Sequence, residues 1–319
     1  MKTLKIEEVV ARDANDEQLA EISALDRIVE AEIRPNDPPQ PAEEFIAWTR
    51  AEPDSGQLRY WVARDGSSVS GFSWIEYEWA EGNPHLAFAG VEVHPDSRRS
   101  GFGRKLLEPV VAAAKADGKT LLTSAVSDLT PGPKFAESLG AKFAQRERES
   151  RLVISEIDVG LLDGWIERAS ERASDYSLIR WDGPTSPELL PGFAKVMAAM
   201  NDAPMPENWN DFEYSPERIS EWETRQGKAG FTFWTVAAGE NETGEIGGYT
   251  RLYPNPWRPM LAHQDDTGVL PEHRNKGLGR WVKAEMMKRL MRELPEVKFV
   301  TTENASTNKA MLGINVAMG

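Results

Sequence analysis

The sequence carries the segment Arg-x-x-Gly-x-Gly-Arg twice, as RRSGFGR from Arg98 and as RNKGLGR from Arg274, 176 positions apart (98 to 274). Each copy follows a β-rich run and opens a segment of helical periodicity, so the fold must supply the same strand, loop and helix twice. The repeat extends outward from the loops, as duplication of a whole unit requires. RPNDPPQPAEEFIAW (34–48) matches MNDAPMPENWNDFEYSPERISEW (200–222): Asn-Asp, a proline-rich spacer, then a short helix ending in Trp. The alternating runs 58–79 and 231–253 each read as a hairpin, and an Asn-Pro loop follows in both halves. LAFAGVEV and AHQDDTGV are the strands that lead into the loops.

After each loop the period changes from two to about 3.6. Leu106, Leu107, Val110, Val111 and Ala114 share one helical face, as do Trp281, Val282, Met286, Leu290 and Leu294. A further strand and a short helix close each unit. The first half then runs through the strand segment AKFAQRERESRLVI into a polar connecting helix. This places domains at 1–154 and 178–319 with a linker at 155–177.

Glycines at the start of a helix permit positive φ and close backbone approach where several N–H groups lack intrahelical partners. With the helix dipole, that geometry favours an anion. Arg98, Arg99, Arg104 and Lys105, or Arg274, Lys276 and Arg280, add full charges, and a diphosphate is the natural occupant. A dinucleotide fingerprint would need a third glycine where Leu106 and Val282 stand, and a parallel βαβ unit, which is not expected around either loop.

Composition narrows the function further. A net charge of −14 argues against a nucleic-acid binder. With no cysteine there is no thiol catalysis or thiolate metal site, and His85, His94, His263 and His273 lack ligand spacing, so no metal is expected. No apolar run approaches the roughly 18 residues of a membrane span, and the N-terminus turns acidic before a signal segment forms. A soluble, cytoplasmic monomer or homodimer is the expectation.

Both loops, with the preceding VEVHP and TGVLP, resemble the Gln/Arg-x-x-Gly-x-Gly/Ala loop of the GNAT N-acetyltransferases. The likeness covers nearly the whole chain as two tandem units. It is strongest to the two-domain, mycothiol-synthase-like members of actinobacteria, through MNDAP, HQDDTGVLPEHRNKGLG and TTENASTNKAMLGINVAMG. The resemblance implies an α/β (α+β) fold of two GNAT domains, each a mixed, mostly antiparallel sheet flanked by helices. It also implies direct acetyl transfer from acetyl-CoA to a small-molecule amine. By the same resemblance Arg98, Arg99, Ser100, Gly101, Phe102, Gly103 and Arg104, and Arg274, Asn275, Lys276, Gly277, Leu278, Gly279 and Arg280, hold the CoA diphosphate. Val93 or Val269 meets the pantetheine where two strands splay, with Asn304 and Asn308 beside it.

Many members place a carboxylate eleven residues before the loop; here those positions are Ala87 and His263. The helix that carries an acidic tyrosine in the family has Asn315 in its place. The first half loses both polar groups of that helix, reading Leu129 and Ala136, so catalysis is expected in the second. Strand alternation puts His263, Asp265 and Thr267 on one face and Gln264, Asp266 and Gly268 on the other. His263 or Asp265 is the candidate base, directly or through water, with Glu303 a further candidate; near the first loop the one carboxylate is Glu92. An acyl-CoA-binding regulatory protein without catalysis is the rival reading.

Trp48, Trp61, Trp222 and Trp234 recur at matched places and read as core. Trp74, Tyr77, Trp79, Tyr249, Tyr253 and Trp257 fall where the family builds its acceptor cleft. At Gly319 the pattern expects an aromatic and closing strands. Either the second sheet borrows its last strands, or it leaves an edge exposed, or further residues follow.

Overall fold

A computed structural model describes residues 5–51, 58–66, 68–77 and 82–319; Trp79 lies outside them. The chain divides into two compact units, Met1–Phe143 and Ala144–Gly319.

In the first unit β1 (Lys5–Val10) leads to α1 (Asp16–Ile33), whose start is fixed by a capping box between Asn15 and Gln18. Then come α2 (Ala42–Arg50), β2 (Arg59–Asp65), β3 (Ser68–Glu76), β4 (Leu86–Val93), α3 (Phe102–Ala116), β5 (Leu121–Thr123) and α4 (Gly132–Ser138). The sheet order is β1-β2-β3-β4-β5, antiparallel except for the parallel pair β4-β5. Leu19, Ile22, Leu25 and Val29 of α1 pack on Tyr60, Val62 and Phe72, while Val110, Ala113 and Ala114 of α3 pack on Trp61, Ile75 and Ala87. The two helices therefore belong to two apolar cores, fed by alternate residues of β2 and β3. Trp48 departs from its expected core role, because 45% of it is exposed.

The second unit begins earlier than the repeat implies. Its elements are β6 (Glu147–Val153), α5 (Val159–Arg172), β7 (Tyr176–Asp182), α6 (Leu190–Met197), α7 (Pro216–Lys228), β8 (Trp234–Glu240), β9 (Ile246–Pro254), β10 (Leu261–Val269), α8 (Leu278–Glu293), β11 (Phe299–Ala305) and α9 (Lys309–Met318). The sheet order is β6-β11-β10-β9-β8-β7. The segment assigned by sequence to the end of the first domain is thus a strand of the second sheet, antiparallel to β11 from Glu147↔Ala305 to Val153↔Phe299. The expected linker helix, α5, is structural too: Leu162 and Trp165 belong to one core with Val282, Met286 and Leu290, and Ala169 is buried as well. Apolar residues on its inner face explain why a mostly polar helix docks at all.

On the opposite face of this sheet, α6 and α7 cover an ion pair. Arg251 and Glu223 are 1% and 0% exposed and bonded to each other. Glu223 also accepts from Thr185 N at 2.6 Å and Thr185 Oγ1 at 2.9 Å, while the guanidinium lies over the rings of Phe193 and Phe233 at 4.7 and 4.8 Å. Removing one partner leaves the other's buried charge without the counter-ion bonded to it. Glu223→Ala is expected to cost about 3–5 kcal/mol, lowering the thermal midpoint of the second unit by roughly 10 °C in a calorimetric scan. No described helix is long and apolar enough to cross a membrane.

Candidate functional site

The two loops share one backbone geometry. Arg99 and Asn275 have φ 63° and 65°, and the helix caps Gly101 and Gly277 have φ 86° and 88°. Left-handed residues at alternate positions turn successive N–H groups toward one side, making an anion-binding concavity at the helix N-terminus. A Cβ on Gly101 or Gly277 would meet nothing within 4 Å, so the loops open onto free space. The second glycine of each pair serves packing: a Cβ on Gly103 would meet the Phe135 ring at 3.1 Å, and one on Gly279 would meet Val269 at 3.5 Å.

The first arginine of each loop is a strut, a role the sequence did not predict. Arg98 Nε donates to the Val93 carbonyl at 3.0 Å and its guanidinium grips Glu32; Arg274 Nε donates to the Val269 carbonyl at 3.1 Å and pairs with Asp202. Their charges are therefore spent on carboxylates. Lys276 bonds the Tyr176 hydroxyl at 2.6 Å, Arg104 bonds Ser138, and Arg280 stacks on Trp165. Ser100 Oγ donates to the Ser97 carbonyl, and Phe102 and Leu278 open α3 and α8.

Each loop also sits inside a parallel strand-helix-strand unit, contrary to expectation. β4 and β5 pair only at Leu86↔Leu121 to Phe88↔Thr123, and β10 and β11 only at Leu261↔Phe299 to His263↔Thr301. Beyond these three pairs the strands part, leaving a wedge whose mouth faces the loop. The missing third glycine remains the argument against a dinucleotide fingerprint.

What separates the units is a bulge. In β10 the register jumps from Gln264↔Leu252 to Thr267↔Thr250, so Asp265 and Asp266 together oppose Arg251. The β3-β4 ladder of the first unit runs unbroken from Gly71↔Val93 to Glu76↔Phe88. A bulge reverses the alternation downstream of it. Asp266 consequently joins the face of Tyr249, whose hydroxyl donates to it at 3.3 Å, while Thr267 turns to Thr250 on the other face. The sequence placed them the other way. The extra residue was nonetheless visible: Leu-Ala and Val-x-Pro bracket ten residues at 86–95 and eleven at 261–271.

Burial, followed by the neighbouring Asp265, pushes the Asp266 carboxyl up to about 7. Tyr214, Tyr249 and Tyr253 surround this pair, their hydroxyls pushed upward by burial and then by the aspartates. The Tyr253 hydroxyl is buried without a partner in hydrogen-bond geometry, although Arg251 lies close. His263 is exposed at the apex of the wedge, 3.4 Å from Thr301 Oγ1. Glu303 is exposed on β11, where with burial it raises the Glu147 carboxyl. Asn308 caps α9 through Met311 N, and Asn304 accepts from Asn315 at 2.8 Å.

The first unit has Gly90 where the aspartates stand, and the Trp74 indole covers it: a Cβ there would lie 2.3 Å from Nε1. Its Glu92 is raised well above the usual carboxylate range, by burial and then by Asp26 and Glu30, with Oε2 unpartnered among the described residues. Among the described residues one cluster could hold a metal: Glu245, Glu272 and His273 bring ligand atoms within 4.8 Å of one another. The Lys195 ammonium already bonds Glu245 and lies 3.8 Å from Glu272, and Tyr176 takes His273 Nδ1.

Each unit therefore sets an anion-binding nest at a helix start beside a wedge between parallel strands, and in the second unit a pair of adjacent aspartates lies just past the last strand pair. The model of the acetyltransferase (GNAT) family matches residues 22–141 and 196–313, and the chain belongs to that family as a tandem two-domain member. Among solved structures it is similar to a tandem GNAT protein from the clavulanic acid biosynthesis pathway, at 24% identity and TM-score 0.75, over 99% of this chain and 94% of that one. A GCN5-related N-acetyltransferase from Sphaerobacter thermophilus follows at 13% identity and TM-score 0.66, over 95% and 88%. These likenesses speak to the fold. A search of curated proteins finds no match.

Proposed function

We propose that the chain transfers acetyl from acetyl-CoA directly to the amine of a small molecule, with catalysis in the second unit. The observation that carries the assignment is the bulge, which sets Asp265 and Asp266 on one face at the wedge apex in the second unit only. The loop amides at 275–279 and 99–103 fit a diphosphate, since both nests face open space. Acetyl-CoA supplies the activated acetyl group as a thioester. Asp266, poised near neutrality, accepts the proton of the attacking amine, and a backbone N–H of the bulged residues polarises the carbonyl. His263, Asp265 and Glu303 border the same wedge, and Asp265 tunes its neighbour. The first unit supports a second reading for itself, a coenzyme-binding domain without turnover, because Trp74 fills the place of the aspartates.

The test is thiol release from acetyl-CoA across a panel of amines. Steady, amine-dependent release that rises with pH up to about 7 is expected. Tight binding with no amine-dependent release would replace the transferase with a coenzyme-binding protein.

A further inference from the structure

On the other side of the sheet from the aspartates, α8 buries an ammonium with no counter-ion among the described residues. Lys283 is 3% exposed, and its Nζ donates to Asn315 Oδ1 at 2.7 Å. An unpaired buried lysine is costly and rare. Burial alone pushes it down to about 8. It lines a cavity together with Gln264, Thr302, Ser150 and Asn315. Two further polar atoms in that lining, Gln264 Oε1 and Ser150 Oγ, are buried without partners. The cavity lies under the sheet, closed by Leu152, Val300, Met287 and Met318, and reaches the wedge at Gln264 and Thr302, the residues just past the last β10-β11 pair, His263↔Thr301. The wedge apex is therefore flanked by carboxylates on one face and by an ammonium with orphaned acceptors on the other.

Resting on the acetyltransferase reading, we propose that Lys283 is the general acid of the second unit, delivering its proton to the departing thiolate of coenzyme A. As the acetyl–sulfur bond breaks, the sulfur leaves with the bonding pair and takes a proton from Nζ. The amine's proton has gone to Asp266; solvent later returns one proton to Lys283 and removes one from Asp266, so the turnover is balanced. A cysteine thiol titrates at about 8.5, and an ammonium brought down to about 8 is acidic enough to protonate a departing thiolate of that kind. Asn315 holds the ammonium in place through its amide oxygen, and its Nδ2 is anchored in turn on Asn304.

The test needs no acceptor. Protein carrying Gly101→Glu, to confine binding to the second loop, is saturated with coenzyme A and the thiol is titrated by thiolate absorbance, with desulfo-coenzyme A as the baseline. A nearby ammonium favours the thiolate. The thiol is expected to titrate about one unit lower with Lys283 intact than in Lys283→Met, a tenfold difference in thiolate at fixed pH. Lys283→Gln keeps a donor for Asn315 without the charge and should behave like the Met variant. Equal titration in all three proteins, or depression retained in the Gln variant, would overturn the proposal. Failure of coenzyme A to bind would overturn the transferase reading and this role with it.

Discussion

Asp266→Asn is expected to lower kcat for amine-dependent thiol release by roughly 10²- to 10⁴-fold, with acetyl-CoA affinity unchanged, in steady-state assays paired with calorimetry. The carboxyl is near neutrality because it is buried first and faces Asp265 second. In the wild-type protein, log kcat/KM should rise with pH and level off above about 7, where Asp266 is ionised. Asp265→Asn removes the like charge but not the burial, so the inflection moves to lower pH without vanishing. Stability carries the opposite sign from an ordinary surface aspartate. Between its usual 3.8 and about 7 the native state holds a proton that the unfolded chain has lost, so stability falls as pH rises through that window. Asp266→Asn should flatten this fall. A full-rate Asp266→Asn protein would remove the residue from the chemistry and return attention to His263.

The other large effect is on binding. Gly277→Glu should weaken acetyl-CoA binding at the second loop by more than about 100-fold, since it places a carboxylate at an anion nest and a side chain at φ 88°. Gly101→Glu should do the same at the first loop, φ 86°. Calorimetric titration of wild-type protein is expected to show two sites, each lost separately. One site, lost only in Gly277→Glu, would leave the first loop as a structural turn. No binding in the wild type would dismiss the acetyl-CoA reading.

Much of the fold could be read from local pattern. The change of period after Gly103 and Gly279 marked α3 and α8, and the paired glycines marked their caps, because φ and apolar spacing are local constraints. The candidate site was legible only in outline. Asp265 and Asp266 were in view, yet a strict two-residue alternation sent Asp266 to the wrong face; the bulge is an event between two strands, and only the one-residue mismatch between the halves betrays it. Lys283 sat unnoticed in α8 because a charged residue in an amphipathic pattern reads as solvent-facing until the helix's neighbours are known. Arg98 and Arg274 were assigned to an anion that their carboxylate partners already replace. Long-range pairing was the least legible feature of all, since nothing in ERESRLV names Phe299–Ala305 as its neighbour.

That pairing has a consequence for how the chain is made. β6 leaves the ribosome before any other strand of its sheet, and its partner β11 leaves last of them. Throughout synthesis of β7 to β10 the segment Glu147–Val153 must wait with its backbone groups facing water. Its outer half is guarded by alternating charge, Glu147, Arg148, Glu149 and Arg151, which discourages premature pairing with another nascent chain. The second unit therefore closes by joining its earliest strand to its latest, so premature release of the polypeptide before residue 305 would leave a sheet with no way to take up the strand already made for it.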